Sequence, residues 1–275
     1  MSALERMGGG AARLERLTRA DINDGVVEAV GAFFRYTFSN AFGELYVRQS
    51  TGDLLSAAQA AGGYLPLAAI DGCPPALMLN GELLPKVFDP ATTHAKLNDK
   101  LREHDSVLAR LFDETGAMRG MTFAYHTTLG EAFAYEWRYP WAYVAERYRQ
   151  PERLRAVGRA IAGLHRGGWP AVGETTPVLC WNCVATAPEA RSLANFLALA
   201  GTLFAGMEGD RQLLVIGETL LGSTAYGLFQ AAGAVAVPGV LEPPLTLVCT
   251  RLGDAVANYG RPVREFIRLI RAARG

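Results

Sequence analysis

The sequence predicts an α/β protein in which a mixed, mostly antiparallel central sheet is flanked by helices. Two apolar segments joined by a short turn, Ser106–Phe112 and 118–126, are typical of an antiparallel hairpin. A buried segment that begins at Pro177 runs through a proline-marked turn into the apolar run 192–207, and the buried strand 212–217 follows. Strands and helices therefore alternate in this half of the chain, whereas the hairpin pairs neighbouring strands directly.

The chain before the hairpin predicts one strand and one helix. Residues 14–22 are expected to form a short strand, and Asp21 or Asp24 is expected to cap a helix over 25–42. Five aromatic residues lie in this helix. They are interpreted as core, with a wall of an acyl or substrate pocket as the alternative.

The segment 46–105 loses hydrophobic periodicity and is interrupted by several turn signals, including Asn80-Gly81 and Asp89-Pro90. It is interpreted as a loop-rich insertion that carries one helix, 92–104, and shapes a specificity pocket.

The remaining segments complete the predicted sheet and its helices. Residues 131–164 have helical period with breaks near Pro140 and Pro151. Gly233 is expected to cap a short helix. The other expected elements are the helix 223–232, the strand pair 235–238 and 245–250, and a basic helix over 261–274.

Composition limits the classes of partner. The 27 basic and 27 acidic residues cancel, so no net charge favours a nucleic acid or an anionic membrane. No apolar segment reaches the length of a membrane helix, and 1–19 lacks the apolar stretch of a secretion signal. We therefore expect a cytoplasmic protein with a disordered leader over 1–13 and a single domain, 1–275.

The four cysteines are expected to be reduced thiols. Cys180 and Cys183 form a C-x-x-C motif inside an apparent strand, where positions three apart are expected to face opposite sides of the sheet. Structural packing is the favoured interpretation, a redox pair or metal ligand the alternative, and no metal site is expected. Cys183 is not expected to act as a nucleophile, because no His or acidic residue lies close to it in sequence.

The order of elements and one turn resemble the GNAT superfamily of acyl-coenzyme A-dependent N-acyltransferases. The resemblance covers about 106–250. The family has a splayed central strand followed by the pattern Val-x-Pro-x-x-Arg/Gln-x-x-Gly-x-Gly/Ala. Aligned on Pro188 and Arg191, this chain has proline and arginine in place but Ala194 and Phe196 at the glycine positions. The glycines allow close backbone approach to a pyrophosphate.

A second family motif, Ala-x-x-Leu-Tyr-x-x-x-Gly-Phe, matches the spacing from Ala225 to Ala234. The tyrosine that often protonates the departing thiolate in the family is Phe229 here. Tyr226, one helical turn earlier, is the candidate substitute, with a core tyrosine as the alternative.

The resemblance implies acetyl-coenzyme A, or another acyl-coenzyme A, as co-substrate. Backbone groups of Cys183, Val184 and Ala185 would hold the pantetheine arm as an added strand edge. The residues implied to face the pyrophosphate are Arg191, Ser192, Leu193, Ala194 and Asn195.

The acceptor would be a small-molecule or peptide amine that attacks the thioester directly. Glu136 and Glu174 are candidates to remove its proton, and His126 is a further catalytic candidate. Trp181 and Asn182 are candidate contacts for acceptor and acyl group. The alternative is a solvent-exposed charge for Glu136 and Glu174, and a structural role for His126 and Asn182.

A function of another class stays open. Because Ala194, Phe196 and Phe229 depart from the family pattern, the chain is alternatively an inactive module that binds an acyl-coenzyme A, an acyl carrier protein or a protein partner. A homodimer through the C-terminal helix or the sheet is also left open.

Overall fold

A computed structural model describes residues 13–49, 78–79, 82–83, 90–132, 172–207, 209–220, 224–231, 233–237 and 245–260. The strands of these residues are β1 (Arg13–Thr18), β2 (Met78–Leu79), β3 (Glu82–Leu83), β4 (Ser106–Phe112), β5 (Met118–Thr128), β6 (Pro177–Thr186), β7 (Leu214–Leu220), β8 (Val235–Val237) and β9 (Leu245–Arg251). The helices are α1 (Asp24–Gln49), α2 (Pro90–Asn98), α3 (Leu193–Phe204), α4 (Thr224–Ala231) and α5 (Leu252–Ala255). A π-helical turn follows α2 (Asp99–Glu103) and another follows α5 (Val256–Gly260).

Seven of these strands form one sheet in the order β1-β4-β5-β6-β7-β9-β8, and β2 pairs with β3 in a separate hairpin. Within the sheet, β6 and β7 are parallel and the other pairs are antiparallel. The fold class predicted from the sequence, a mixed and mostly antiparallel sheet with helices, is therefore confirmed.

The predicted hairpin is confirmed as β4 and β5, and its turn shows why it forms. The carboxylate of Asp113 accepts hydrogen bonds from the backbone N–H groups of Thr115 at 2.9 Å and Ala117 at 3.0 Å. Gly116 adopts a φ of 83°, a left-handed conformation that favours glycine. Strand β5 runs two residues beyond the predicted end, to Thr128.

The first strand is shorter than predicted. It ends at Thr18, because Asp21 accepts hydrogen bonds from the backbone N–H of Thr18 at 2.9 Å and its hydroxyl at 2.7 Å, which closes a short 3₁₀ turn. The prediction that Asp21 or Asp24 caps the next helix is wrong. The Asn23 side chain accepts from the N–H of Val26 at 3.1 Å, and α1 begins at Asp24.

Each face of the sheet carries its own core. One, here called the α1 face, packs against α1 and α2 and includes Val27, Phe34, Leu97, Phe123 and Tyr125. The other, here called the α3 face, packs against α3, α4 and the C-terminal turns and includes Trp181, Phe196, Phe204, Phe229 and Tyr259. Of the five aromatic residues predicted for the first helix, Phe33 and Phe34 are buried and Tyr36 is 38% exposed.

A β-bulge in β6 gives the two cysteines of the C-x-x-C motif an orientation that differs from the predicted one. Phe123 pairs with Cys183 and Ala124 pairs with Trp181, so Asn182 is an extra residue without a register partner. The extra residue shifts the alternation of side chains by one position, so residues three apart lie on the same face of the sheet. Cys180 and Cys183 are accordingly both part of the core of the α1 face. The prediction that the two thiols face opposite sides of the sheet is therefore wrong.

Other predictions fall at the edges of the described chain. Gly233 ends the short helix as predicted, with a φ of 86° and its N–H bonded to the carbonyl of Gln230 at 3.0 Å. The helix predicted over 131–164 lies outside the described residues apart from 131–132, and most of the insertion and 261–274 also lie outside. The leader predicted over 1–13 lies outside as well, except that its last residue, Arg13, begins β1. None of the helices in the described ranges has both the length and the apolar character needed to cross a membrane.

Candidate functional site

The two parallel strands in the middle of the sheet part soon after they meet. Strand β6 pairs with β7 through Val178, Leu179 and Cys180, opposite 214–216. Gly217 then lies against Trp181, and a Cβ atom at Gly217 would stand 2.8 Å from the Trp181 carbonyl oxygen. Glycine is therefore required at the point of parting, and a cleft opens between the carboxyl ends of the two strands.

This cleft is mostly apolar with a few polar groups. Its nine lining residues are Tyr125, Ala132, Cys180, Trp181, Asn182, Ile216, Gly217, Glu218 and Leu247. It encloses about 370 Å³ of space between protein atoms, its open mouth included. Small-molecule sites typically combine apolar walls with a small number of polar groups. Here Glu218 supplies a carboxylate, Asn182 an amide and Tyr125 a hydroxyl.

The peptide groups of β6 beyond the bulge alternate between its two neighbours. Ala187 donates its N–H to Arg119 at 2.9 Å, which makes these residues a hydrogen-bonded pair of the β5–β6 ladder. Hydrogen-bonded pairs recur every second residue in an antiparallel ladder, so Cys183 and Ala185 direct their peptide groups toward β5. Val184 directs its N–H and C=O away from β5, toward the side from which β7 has separated. Of the three residues predicted to hold a pantetheine arm, Val184 is thus the one whose N–H and C=O lie at the open edge of β6.

The turn after β6 leads into a well-capped helix. The Ser192 hydroxyl oxygen accepts from the N–H of Asn195 at 3.1 Å, and the Asn195 side chain donates to the carbonyl of Ala190 at 2.8 Å. Arg191, Ser192 and the next two residues are exposed at this helix start. The predicted pyrophosphate residues, Arg191, Ser192, Leu193, Ala194 and Asn195, therefore lie together at one helix N-terminus.

Phe196, which replaces a glycine of the family pattern, points away from this helix start. It is 5% exposed and packs in the core of the α3 face, with its ring centroid 6.4 Å from that of Trp181. Its side chain therefore does not cover the exposed residues at the start of α3.

An ion-pair network ties the turn to the β4–β5 hairpin. Arg119 donates to the carboxylate of Asp113 at 2.6 Å and also pairs with Glu189 in the turn. Arg119 of β5 therefore contacts the turn twice, through its backbone carbonyl to Ala187 and through its side chain to Glu189. The hydrogen bonds from Thr115 and then Arg119 lower the pKa of Asp113 well below its usual range.

Trp181 lies at the centre of the aromatic core on the α3 face. Its ring centroid is 4.7 Å from that of Phe229, 5.0 Å from that of Phe204 and 5.4 Å from that of Tyr259. The Trp181 side chain, a predicted substrate contact, is thus buried among aromatic residues. Trp181 is also one of the residues that line the cleft. Phe229, at the family's tyrosine position, is buried here as well.

Trp181, which directly precedes the bulge residue Asn182, takes part in a buried chain of hydrogen bonds. The indole Nε1–H donates to the Thr122 hydroxyl oxygen at 2.7 Å, and the Thr122 hydroxyl donates to the carbonyl of Cys183 at 2.6 Å. Thr122 is fully buried. The two residues on either side of Asn182 are therefore connected through one side chain of the neighbouring strand.

The cysteines that the structure describes are buried, with free thiols. Burial raises the pKa of Cys183 to about 12 and that of Cys249 to about 12. A thiolate is the reactive form of cysteine, so these thiols are poor nucleophiles near neutral pH. Within the described ranges, no group of three His, Cys, Asp or Glu side chains is arranged to hold a metal ion.

The predicted proton-transfer residues that the structure describes, His126, Glu174 and Tyr226, are not among the residues that line the cleft. His126 is exposed, and its carbonyl lies 3.2 Å from Nδ1 of His104. The Tyr226 hydroxyl accepts from the side chain of Gln230 at 2.9 Å on α4. Glu174 is exposed, and Glu136 lies outside the described residues.

Glu218 and Tyr125 are the polar cleft residues that the sequence analysis missed. Glu218 gave a detectable signal, because it is a single charge directly after Gly217 in an otherwise apolar strand. Tyr125 gave none, because nothing in sequence distinguishes a cleft-lining tyrosine from a core tyrosine.

No protein-family model matches the sequence, and no curated protein matches it. Among solved structures, the chain is similar to arylalkylamine N-acetyltransferase 2 from Aedes aegypti, with a TM-score of 0.44 and 10% identity over 87% of this chain and 99% of that one. It is also similar to SsHAT, with a TM-score of 0.36 and 17% identity over 61% and 84% of the two chains. A bacterial toxin gives a TM-score of 0.40 and 12% identity over 61% and 79%. Similarities at this level do not transfer an activity to this chain.

Proposed function

We propose that this protein is an acyl-coenzyme A-dependent N-acyltransferase. One observation carries the proposal: β6 and β7 part after three register pairs, so the edge of β6 is open at Val184 and leads to the capped start of α3. An open strand edge suits the amide groups of a pantetheine arm. A helix N-terminus suits a pyrophosphate. Both features occur in succession along one stretch of chain.

The reaction is a direct transfer. The nitrogen of a small-molecule or peptide amine attacks the thioester carbonyl carbon, a C–N bond forms and the C–S bond breaks. The amine must lose a proton, and we assign this step to Glu218, whose carboxylate borders the cleft. Glu136 and His126, the earlier candidates, remain alternatives. The departing thiolate takes a proton from Tyr226 or from water, because Phe229 has none to give.

The cleft suits a cationic acceptor. Glu218 is the charged residue among its nine lining residues, and Asn182 and Tyr125 add neutral polar groups. A carboxylate beside a half-buried cleft attracts an ammonium group and can then remove its proton.

The proposal is tested by titrating acetyl-coenzyme A, and then longer acyl-coenzyme A thioesters, into the protein by calorimetry. We expect micromolar binding that Arg191→Glu weakens by more than about tenfold, since it reverses a charge at the helix start. Arg211→Glu makes the same charge change at the opposite end of β7 and is expected to bind normally. If neither thioester binds to the wild-type protein, the proposal is wrong.

Turnover is then measured as free thiol released in the presence of a panel of amines. Glu218→Gln is expected to lower turnover by about 10²-fold or more while acyl-coenzyme A affinity is retained. Equal turnover in Glu218→Gln and wild type would remove Glu218 from the mechanism.

An inactive binding module is the second candidate function. Phe229 favours it, because it is buried against Trp181 at the position from which the family often protonates the thiolate. Such a module binds an acyl-coenzyme A, an acyl carrier protein or a protein partner without releasing thiol. Saturable thioester binding with no thiol release for any amine would support this alternative.

A further inference from the structure

We propose that Thr122 is a positioning residue, which aims the N–H of Val184 toward the open edge of β6 by holding the carbonyl of Cys183 toward β5. The inference rests on the function proposed above, because the group it positions is the one assigned to the acyl-coenzyme A. It starts from the hydrogen-bond chain from Trp181 through Thr122 to Cys183.

The direction of this chain is fixed by its donors. An indole N–H can only donate, so the Thr122 oxygen accepts from Trp181. The hydroxyl has one proton, and that proton is then directed to the carbonyl of Cys183, 2.6 Å away. All three groups are in a buried region, where a polar group that loses its partner is costly.

The Cys183 carbonyl and the Val184 N–H belong to one planar, trans peptide unit. They therefore point in opposite directions. As long as Thr122 holds the carbonyl oxygen on the β5 side, the Val184 N–H faces the side from which β7 has separated. A rotation of this peptide would break the 2.6 Å hydrogen bond.

The bulge explains why such a restraint is needed. Asn182 has no register partner, so the ladder alone holds the following peptide less firmly. Thr122 connects Trp181 before the bulge with Cys183 after it. A donor that is oriented in advance binds a carbonyl oxygen better than one that must first be ordered.

The test compares Thr122→Val with Thr202→Val. Thr202 is also fully buried, but its hydroxyl has no hydrogen-bond partner among the described residues. Both variants exchange a hydroxyl for a methyl group in the interior. We expect Thr122→Val to weaken acetyl-coenzyme A binding by about tenfold or more, and Thr202→Val to change it less than about twofold.

A spectroscopic readout separates positioning from general loss of stability. In ¹⁵N-labelled wild-type protein, the Val184 amide resonance is expected to shift when acetyl-coenzyme A is added. In Thr122→Val this shift is expected to be reduced, and Thr122→Ser, which retains the hydroxyl, is expected to restore both the shift and the affinity. In turnover assays, KM is expected to rise more than kcat falls.

If Thr122→Val does not fold, Thr122→Ala replaces it, because that variant also removes the hydroxyl that donates to the carbonyl of Cys183. The same direction of change in affinity and in the Val184 shift is expected. Wild-type binding together with unchanged affinity and an unchanged Val184 shift in the folded variants would overturn this inference and leave the proposed function standing. Absence of wild-type binding would overturn both.

Discussion

The two edges of strand β6 are built in opposite ways. Toward β5, its register pairs extend from Thr186 to Pro177 and are reinforced by the Thr122 hydrogen bonds. Toward β7, pairing stops after Cys180. The contrast shows how a strand can present an open edge in the middle of a sheet: one side is held firmly enough that the other does not need a partner. Four variants test this division, in decreasing order of expected effect.

The largest effect is expected at Trp181, which anchors the closed side. Trp181→Ala removes the ring at the centre of the aromatic core and should lower the free energy of unfolding by about 3 to 5 kcal/mol. Urea denaturation measures it. Leu197→Ala, at a position that is 40% exposed on α3, is the control and should change stability by no more than about 0.5 kcal/mol. Equal losses would mean that the aromatic core does not hold this edge.

The next effect is expected at the point of parting. In Gly217→Ala the new Cβ atom would stand 2.8 Å from a backbone oxygen of Trp181, so a strand must shift. We expect a loss of about 1 to 3 kcal/mol in the free energy of unfolding and weaker acyl-coenzyme A binding.

Gly227→Ala is the matched control for the glycine change. A Cβ at Gly227 has no atom within 4 Å, and the residue lies within helix α4. Alanine is expected to stabilise the protein by about 0.5 to 1 kcal/mol there. If Gly217→Ala is also neutral or stabilising, the two strands do not meet as closely as described.

The buried thiol of Cys183 predicts a pH dependence of stability. Its pKa is about 12 in the folded protein against an ordinary value of 9.0, so above pH 9 the unfolded chain loses this proton and the folded chain keeps it. The contribution is present below pH 9 and is lost as the pH rises toward 12. The free energy of unfolding should therefore fall by about 1 kcal/mol between pH 8 and pH 10 from this group.

The difference between wild type and Cys183→Ala isolates that contribution, because all other groups titrate in both proteins. The variant should show the shallower fall in urea denaturation at pH 8 and pH 10. An equal fall in the free energy of unfolding in both proteins would show that the Cys183 thiol is more accessible to solvent than its position in the core of the α1 face indicates.

The smallest effect is expected at Arg119, which joins the turn after β6 to the hairpin. Arg119→Gln should weaken acyl-coenzyme A binding by a few-fold, because exposed ion pairs contribute little. Glu189→Gln removes the same ion pair, between Arg119 and Glu189, but retains the positive charge of Arg119. If the pair positions the turn, both variants weaken binding. If only local charge matters, Glu189→Gln strengthens it.

Much of the sheet was predictable because its strands have strong local signals. The hairpin of β4 and β5, the helix after Pro188 and the glycine cap at Gly233 all follow from residues that specify turns. The first strand was extended too far, because the capping of Thr18 by Asp21 acts over three residues and resembles a helix start in sequence.

The site was less predictable, because it depends on contacts between distant segments. The start of α3 was found through the turn at Pro188. The bulge at Asn182 has no local signature, and without it the directions of Cys183 and Val184 are assigned to the wrong faces. Glu218 and Tyr125 become neighbours of the cleft only when β5, β6 and β7 are assembled.

The bulge also governs how the gene encoding this strand can change. Removing the codon for Asn182 would leave Trp181 opposite Ala124 and Cys183 opposite Phe123, so the alternation of inward and outward side chains from Cys183 to Thr186 would be kept and the strand would become regular. Replacing Asn182 with another residue leaves that alternation untouched. Loss of this one residue is therefore expected to be compatible with the pairing of β5 and β6, whereas loss of a residue from a regularly paired part of β6 would exchange the faces of the side chains beyond it.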